Sequence, residues 1–306
     1  MPLAGLFGPR SGRVGSKHAV ICLTAFADRL RLVADLWVRV VNRYNSLYML
    51  KCPRWWQAPG RVDFMDFQTR SLPKRGNTVQ ECEDAVAINT ASRRFALADG
   101  ATEGYPSGPW AQMLANSFVE DTDGHLNDWP ARLPAVQRQW DDGLTGLSLP
   151  WYGQEQLAQG AYATFLGVVL RTNDAGRMTW NAIAVGDTCL FHVRHSKMLC
   201  AFPLSHAEQF GTSPRLVGSR NSVEAVTTRL SAACRRCDSG DCLWMMTDAL
   251  AMWFLQQHEA GVNPWKELEP LLVATAPANA FISWIEQLRD KKQLRNDDVT
   301  VLRINA

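Results

Sequence analysis

The sequence predicts an α+β domain in which antiparallel hairpins alternate with helices. Three observations predict it. Short apolar runs of strand length recur from about Met65 to the end of the 306-residue chain. Turn residues, not helix-length segments, separate neighbouring runs, which selects hairpins over parallel crossovers. Three longer segments carry apolar residues at three- and four-residue steps, the period of a helix with one buried face.

The strand segments are 84–90 "DAVAINT", 93–99 "RRFALAD", 163–170 "ATFLGVVL", 178–186 "MTWNAIAVG", 188–194 "TCLFHVR", 242–248 "CLWMMTD" and 298–304 "DVTVLRI". Turns are expected at "NTAS" after the first, at "TNDAG" (172–176) and at "HSKM" (195–198). The first helix, "SGPWAQMLANSFVED", opens on a Ser cap and aligns Trp110, Leu114 and Phe118. The second, "DALAMWFLQQHEAG", has Asp near its start and Gly261 past its end. The third, "PANAFISWIEQLRDKK", stripes Phe281, Ile285 and Leu288 and ends basic, as a helix C-terminus prefers. Residues 120–160, polar and rich in Trp and turn formers, read as a helical excursion.

Composition is that of a soluble globular protein, 46% hydrophobic and 20% charged, and no apolar run reaches the length of a membrane span. The net charge of +2 gives no overall bias towards nucleic acid. The charge is unevenly placed: residues 1–64 hold a net of +7 and the remaining 242 residues a net of −5. This front segment is a separate basic extension ahead of a domain at 65–306. Phe26, Leu30, Val33, Trp37, Val40, Tyr44 and Leu47 give it an amphipathic helix, and Trp55-Trp56 and Pro59-Gly60 end it. Its opening, "RSGRVGSK" followed by "AVICLTAFA", also has the outline of an export signal. The packed helix is the preferred reading, and a cytoplasmic location goes with it. "GRVGSK" lacks the residue order and the preceding strand of a phosphate loop.

Three of the eight cysteines lie in "CRRCDSGDC" (Cys234, Cys237, Cys242). The spacing is compatible with a metal knuckle or a disulfide, but no second ligand pair follows, so ordinary thiols are the main expectation.

The chemistry-bearing pattern is acidic. Glu83 and Asp84 stand immediately before "AVAIN", Asp99 ends "FALA" and precedes Gly100, Asp248 ends "LWMMT", and Asp297 precedes "DVTVL". A single strand-terminal Asp is commonly only a cap or turn former. Four such stations converging on one sheet edge could not all ionise without a counter-charge, and an all-oxygen set selects Mg²⁺ or Mn²⁺. Gly100, with no Cβ, lets its carbonyl approach a cation closely.

"ECEDA", "ALADGATEG", "AVGDTCLF", "MMTDAL" and "NDDVTVL" occur in the order of the motifs of the metal-dependent protein serine/threonine phosphatases, the PPM family or type 2C. The chain from about residue 65 to 306 resembles bacterial members of that family. The resemblance implies a central antiparallel β-sandwich flanked by helical layers, in the order α-β-β-α, with two Mn²⁺ or Mg²⁺ ions at one end. It implies that Asp99 bridges the ions, that Glu83 and the Gly100 carbonyl complete one ion and Asp248 and Asp297 the other, and that Asp84 holds ion-bound water. Asp187, in "VGDT", matches a motif that is more structural than ligating. A water bridging the ions would attack phosphoserine or phosphothreonine in line. A phosphorylated protein would be the substrate and a cognate serine/threonine kinase a partner.

The chain also departs from the family pattern. Many members place a phosphate-gripping Arg at the position of Val79; Lys74 or Arg75 is the nearest replacement. The His that follows Asp-Gly in many eukaryotic members is Ala101 here. His206 in "LSHAEQF" matches a loop that supplies further metal contacts, although a solvated loop histidine is the simpler reading. A pseudophosphatase serving as a binding module, and a phosphatase of a small phosphoester, are the alternatives to a protein phosphatase.

Overall fold

The computed structural model describes residues 66–101, 107–121, 126–145, 159–173, 175–211, 213–277 and 279–306. The basic extension with its helix at 26–47, its export-signal outline and the Trp55 to Gly60 break lies outside the described residues.

Strand β1 (Phe67–Leu72) leads into a hairpin of β2 (Asp84–Asn89) and β3 (Arg94–Asp99). Helix α1 (Ser107–Glu120) and α2 (Leu133–Leu144) follow, the second preceded by a 3-10 segment at Leu126–Arg132. Then come β4 (Tyr162–Ala163), β5 (Phe165–Thr172), β6 (Met178–Val185), β7 (Cys189–Arg194), β8 (Lys197–Phe202) and β9 (Val217–Gly218). The short α3 (Val223–Thr227) precedes β10 (Ser231–Cys237) and β11 (Asp241–Met246). Helices α4 (Asp248–Glu259), α5 (Trp265–Leu272) and α6 (Ala280–Asp290) lead to β12 (Val299–Asn305).

The strands form two five-stranded antiparallel sheets, ordered β1-β12-β11-β7-β8 and β10-β6-β5-β3-β2, with β4 paired to β9 beside them. Period-two alternation gives each sheet an inner face, and the two faces meet. Phe95, Leu97, Leu166, Val168 and Trp180 from one sheet share a buried cluster with Leu190, Leu243, Met245, Leu302 and Ile304 from the other. The outer face of the first sheet packs on α4, α5 and α6, where Phe191 stacks on Phe254 at 4.4 Å between ring centroids. The outer face of the second sheet packs on α1. There Gly167 makes room for Phe118: a Cβ at this glycine would stand 2.6 Å from the ring. Trp129 stacks on Phe165 at 4.0 Å on the same side. The expected α-β-β-α layering is therefore observed.

The Cys234-x-x-Cys237 pair does not close. Both lie on β10 in regular register with β6, so positions three apart point to opposite faces; Cys234 is exposed and Cys237 buried. Cys237 sits instead beside His192 and Asp241, a group compact enough to hold a cation. Its charge is already balanced. Asp241 accepts from Arg194 Nε at 2.7 Å and Nη2 at 2.8 Å, from the Asp238 N–H at 2.8 Å and from His192 Nε2 at 2.8 Å. Trp180 Nε1 donates to His192 Nδ1 at 3.0 Å, which fixes the proton on Nε2. Burial alone would raise the Asp241 carboxyl, but Arg194, the Asp238 amide and His192 outweigh it and hold it well below the usual carboxylate range.

Candidate metal centre

The carboxylates meet at one end of the sandwich, and strand register explains why. Asp84 opens β2 and Asp99 closes β3, and the two are direct cross-strand partners. Residue 246 at the end of β11 pairs with residue 301 near the start of β12, so Asp248 and Asp297 leave adjacent strands at the same end. Asp187 lies in the turn from β6 to β7, which carries the chain from one sheet to the other. Gly186 makes that turn with φ +102°, and a Cβ there would meet Thr164 at 2.7 Å and the Arg215 carbonyl at 2.8 Å.

Backbone and hydroxyl groups hold the cluster in place. The Thr247 hydroxyl donates to Asp84 Oδ2 at 3.0 Å and accepts the Thr300 N–H at 2.9 Å. Asp298 takes the Lys74 N–H on Oδ1 and the Glu83 N–H on Oδ2, both at 2.7 Å, so it fixes the segment that carries Glu83. The Gly100 N–H donates to the Glu83 carbonyl at 3.2 Å, and the Thr164 N–H to the Asp99 carbonyl at 2.8 Å. A Cβ on Gly100 would stand 2.8 Å from Ser107 Cβ and 3.0 Å from Glu83 Cβ, so only glycine lets the backbone sit this close.

The electrostatics are those of crowded acids. Burial first, and then the neighbouring charges of Asp84, Asp248, Asp297 and Asp187, push the Asp99 carboxyl well above its ordinary range. Burial likewise raises Asp84, with hydrogen bonds from Thr300 and Thr247 opposing it and the charges of Asp298 and Asp248 adding to it. Asp187 is pushed up to about 7 by burial and by Asp248, and Asp248 is raised by burial against the opposing charge of Arg295. Three carboxylate oxygens of the cluster, Asp84 Oδ1, Asp187 Oδ1 and Asp248 Oδ1, are buried with no hydrogen-bond partner among the described residues. Leaving buried acceptors unpaired is costly. A hard divalent cation answers all of these features: oxygen-only donors, unpaired lone pairs and uncompensated negative charge.

The cations that sequence reasoning placed nearby separate into two groups. Lys74 Nζ lies 3.6 Å from Glu83 Oε2, at the cluster. Arg75 points elsewhere: its guanidinium is held by Glu286 and by Asp290 on α6. Val79 is 75% exposed, so nothing is built around the position where an Arg is common. His206 is paired with Glu259 at 3.4 Å, at the last residue of α4. Asp248 is the first residue of that helix, roughly 16 Å away along its axis. His206 therefore does not join the carboxylates.

Sequence reading missed Arg295. Its Nη2 donates to Asp248 Oδ2, which brings a guanidinium to the cluster from the loop before β12. The available signal was its place two residues before Asp297. Asp187 was read as structural, yet it is buried among the acids with an unpaired oxygen.

No protein-family model and no curated protein matches the sequence. Solved structures do match. The Mycobacterium tuberculosis serine/threonine phosphatase PstP/Ppp aligns at 18% identity over 79% of this chain and 98% of its own, with a TM-score of 0.50. A bacterial serine phosphatase carrying an arginine-to-glutamate mutation aligns at 16% identity over 79% and 98%, with a TM-score of 0.51. At such identities the likeness is one of fold, and the order of layers and strands described above agrees with it. The chain has the fold of the bacterial PPM-type serine/threonine phosphatases.

Proposed function

We propose that the chain is a metal-dependent phosphatase that hydrolyses phosphoserine and phosphothreonine esters in proteins. The observation that carries this reading is the set of buried oxygens on Asp84, Asp187 and Asp248 that have no partner among the described residues, within a cluster of carboxylates at one end of the sandwich. Glu83, Asp99, the Gly100 carbonyl, Asp248 and Asp297 are the ligands for two Mn²⁺ or Mg²⁺ ions, with Asp187 as an added oxygen donor. When bound, such ions supply a water of lowered pKa and neutralise charge on the phosphoryl oxygens.

The chain's own groups do the rest. Thr247 occupies Asp84 Oδ2 and leaves Oδ1 unpaired. A carboxylate held this way keeps one oxygen to orient an ion-bound water and to accept a proton from it, once the ions have offset the charge of the neighbouring acids. Lys74 and Arg295, each beside one carboxylate of the cluster, are the cations that meet phosphoryl oxygens in place of the side chain absent at Val79. Arg75, engaged by Glu286 and Asp290, is less suited to that role. The test is turnover of an aryl phosphate with Mn²⁺ or Mg²⁺ and again with excess chelator. Activity confined to the metal-containing sample supports the reading, and equal activity in chelator refutes it.

A further inference from the structure

A cavity of about 640 Å³ opens beside the carboxylate cluster, between α4 and the segment that joins α6 to β12. The α4 side is one helical face, running from Ala249, next to Asp248, through Trp253 to Gln256 and Gln257. The other side is basic: Arg75, Arg289, Lys292 and Arg295 all line it, and no Asp or Glu among the described residues does. Two of these cations are committed. Arg75 is held by Glu286 and Asp290, and Arg289 donates to Glu286 Oε1 at 2.7 Å and to the Asp297 carbonyl at 2.6 Å.

The other two are available. Lys292 is exposed and has no carboxylate partner among the described residues. It sits in the left-handed region at φ +57°, two residues past the end of α6, so the backbone turn is what brings it here. Arg295 is 43% exposed and uses only Nη2, on Asp248, among the described residues. It therefore stands at the junction of the cluster and the cavity with most of its donors unspent.

We infer that this cavity receives the part of a phosphoprotein substrate next to the phosphorylated residue, and that it selects for acidic side chains there. The inference rests on the phosphatase reading, because that reading places the phosphoryl group at the cluster. A carboxylate a few residues along the peptide then reaches Lys292 and the outer donors of Arg295. Charge-assisted hydrogen bonds to an ammonium and a guanidinium are strong enough to set a sequence preference. The glutamines of α4 supply neutral donors for the peptide backbone, and Trp253 lends an apolar wall.

The test uses the full chain with Mn²⁺ and two labelled peptides. Each carries a non-hydrolysable phosphonate analogue of phosphothreonine; one is flanked by Glu, the other by Ala. Fluorescence anisotropy gives both dissociation constants. The expected result is about tenfold tighter binding of the acidic peptide, weakening as salt rises. Lys292→Glu should bring the ratio to one or below, and Lys292→Asn, which suits the left-handed backbone, should give an intermediate ratio. Equal affinities in the wild type overturn the inference, as does a ratio unchanged in Lys292→Glu. Hydrolysis of the matching phosphothreonine peptides is read in parallel. A preserved binding ratio without hydrolysis refutes the phosphatase reading and leaves the cavity assignment standing. Hydrolysis without a binding ratio does the reverse.

Discussion

Asp187 gives a sharp expectation about how pH and divalent ions act together on stability. Its carboxyl is pushed up to about 7 in the fold, while an unfolded Asp titrates near about 3.9. A raised folded pKa contributes stability that is fully present below the unfolded value and is lost as pH rises through the folded one. For Asp187 alone the full loss is roughly 4 kcal/mol, at about 1.4 kcal/mol per pH unit. About half of it, roughly 2 kcal/mol, falls between pH 5.5 and 8. Asp84, Asp99 and Asp248 are raised in the same direction by burial and add to the effect. For a domain of this size that corresponds to a melting midpoint roughly 4–8 °C lower at pH 8 than at pH 5.5 when ions are chelated. Mn²⁺ at a hundred times its dissociation constant restores about 2.7 kcal/mol, and it does so more at pH 8, where it competes with fewer protons. The assay is a thermal melt across this pH range, with chelator and with Mn²⁺, on the wild type and on Asp187→Asn. The variant should melt higher than the wild type in chelator at pH 8 and should show a shallower pH slope. An identical slope in both proteins would show that the cluster is not under charge strain.

Three further outcomes follow from the same geometry. Asp99→Asn should lower turnover of an aryl phosphate by at least about a thousandfold while circular dichroism stays native, a loss of roughly 4 kcal/mol in transition-state stabilisation; wild-type turnover would remove Asp99 from the bridging role. Asp241→Ala strands the Nε2 proton of His192 in the sandwich and leaves Arg194 to Asp238, so a urea melt should show about 1–3 kcal/mol less stability with the metal requirement unchanged. A chain starting at Met65 should stay soluble and keep its metal-dependent turnover, because each proposed ligand lies beyond that residue; an insoluble or inactive product would make the basic extension integral to the domain.

Much of the sandwich is legible because a strand covered on one face alternates and a strand covered on both reads as an apolar run. "DAVAIN" alternates, whereas "RFALAD" and "CLWMM", almost wholly buried, read as apolar runs of strand length. Sequence reading missed the two-residue β9 and also β1, β8 and β10, which each end a five-stranded sheet. An edge strand is half solvated and tolerates charge, so "SAACRRC" reads as a cysteine motif instead of a strand. The carboxylates at strand ends were visible because Asp beside Gly or before an apolar run is conspicuous. Asp187 and Arg295 were harder to place. Asp187 reaches the cluster through pairings between residues more than 40 positions apart, such as β11 with β7, which no local pattern encodes, and Arg295 meets Asp248 across 47 positions although it stands two residues before Asp297. Arg75 shows the converse: it is close to the cluster in sequence, but two acids on α6 draw it away.

The central claim is that the acidic end of the sandwich is a divalent-metal centre that breaks phosphomonoesters. A single titration tests it most directly. Mn²⁺ is added to chelator-stripped protein while bound metal and phosphate release from a phosphothreonine peptide are read on the same samples. Release should rise with occupancy, saturate near two ions per chain, and be lost with that occupancy in Asp99→Asn. Phosphate release from metal-free protein, or full occupancy without release, would contradict it.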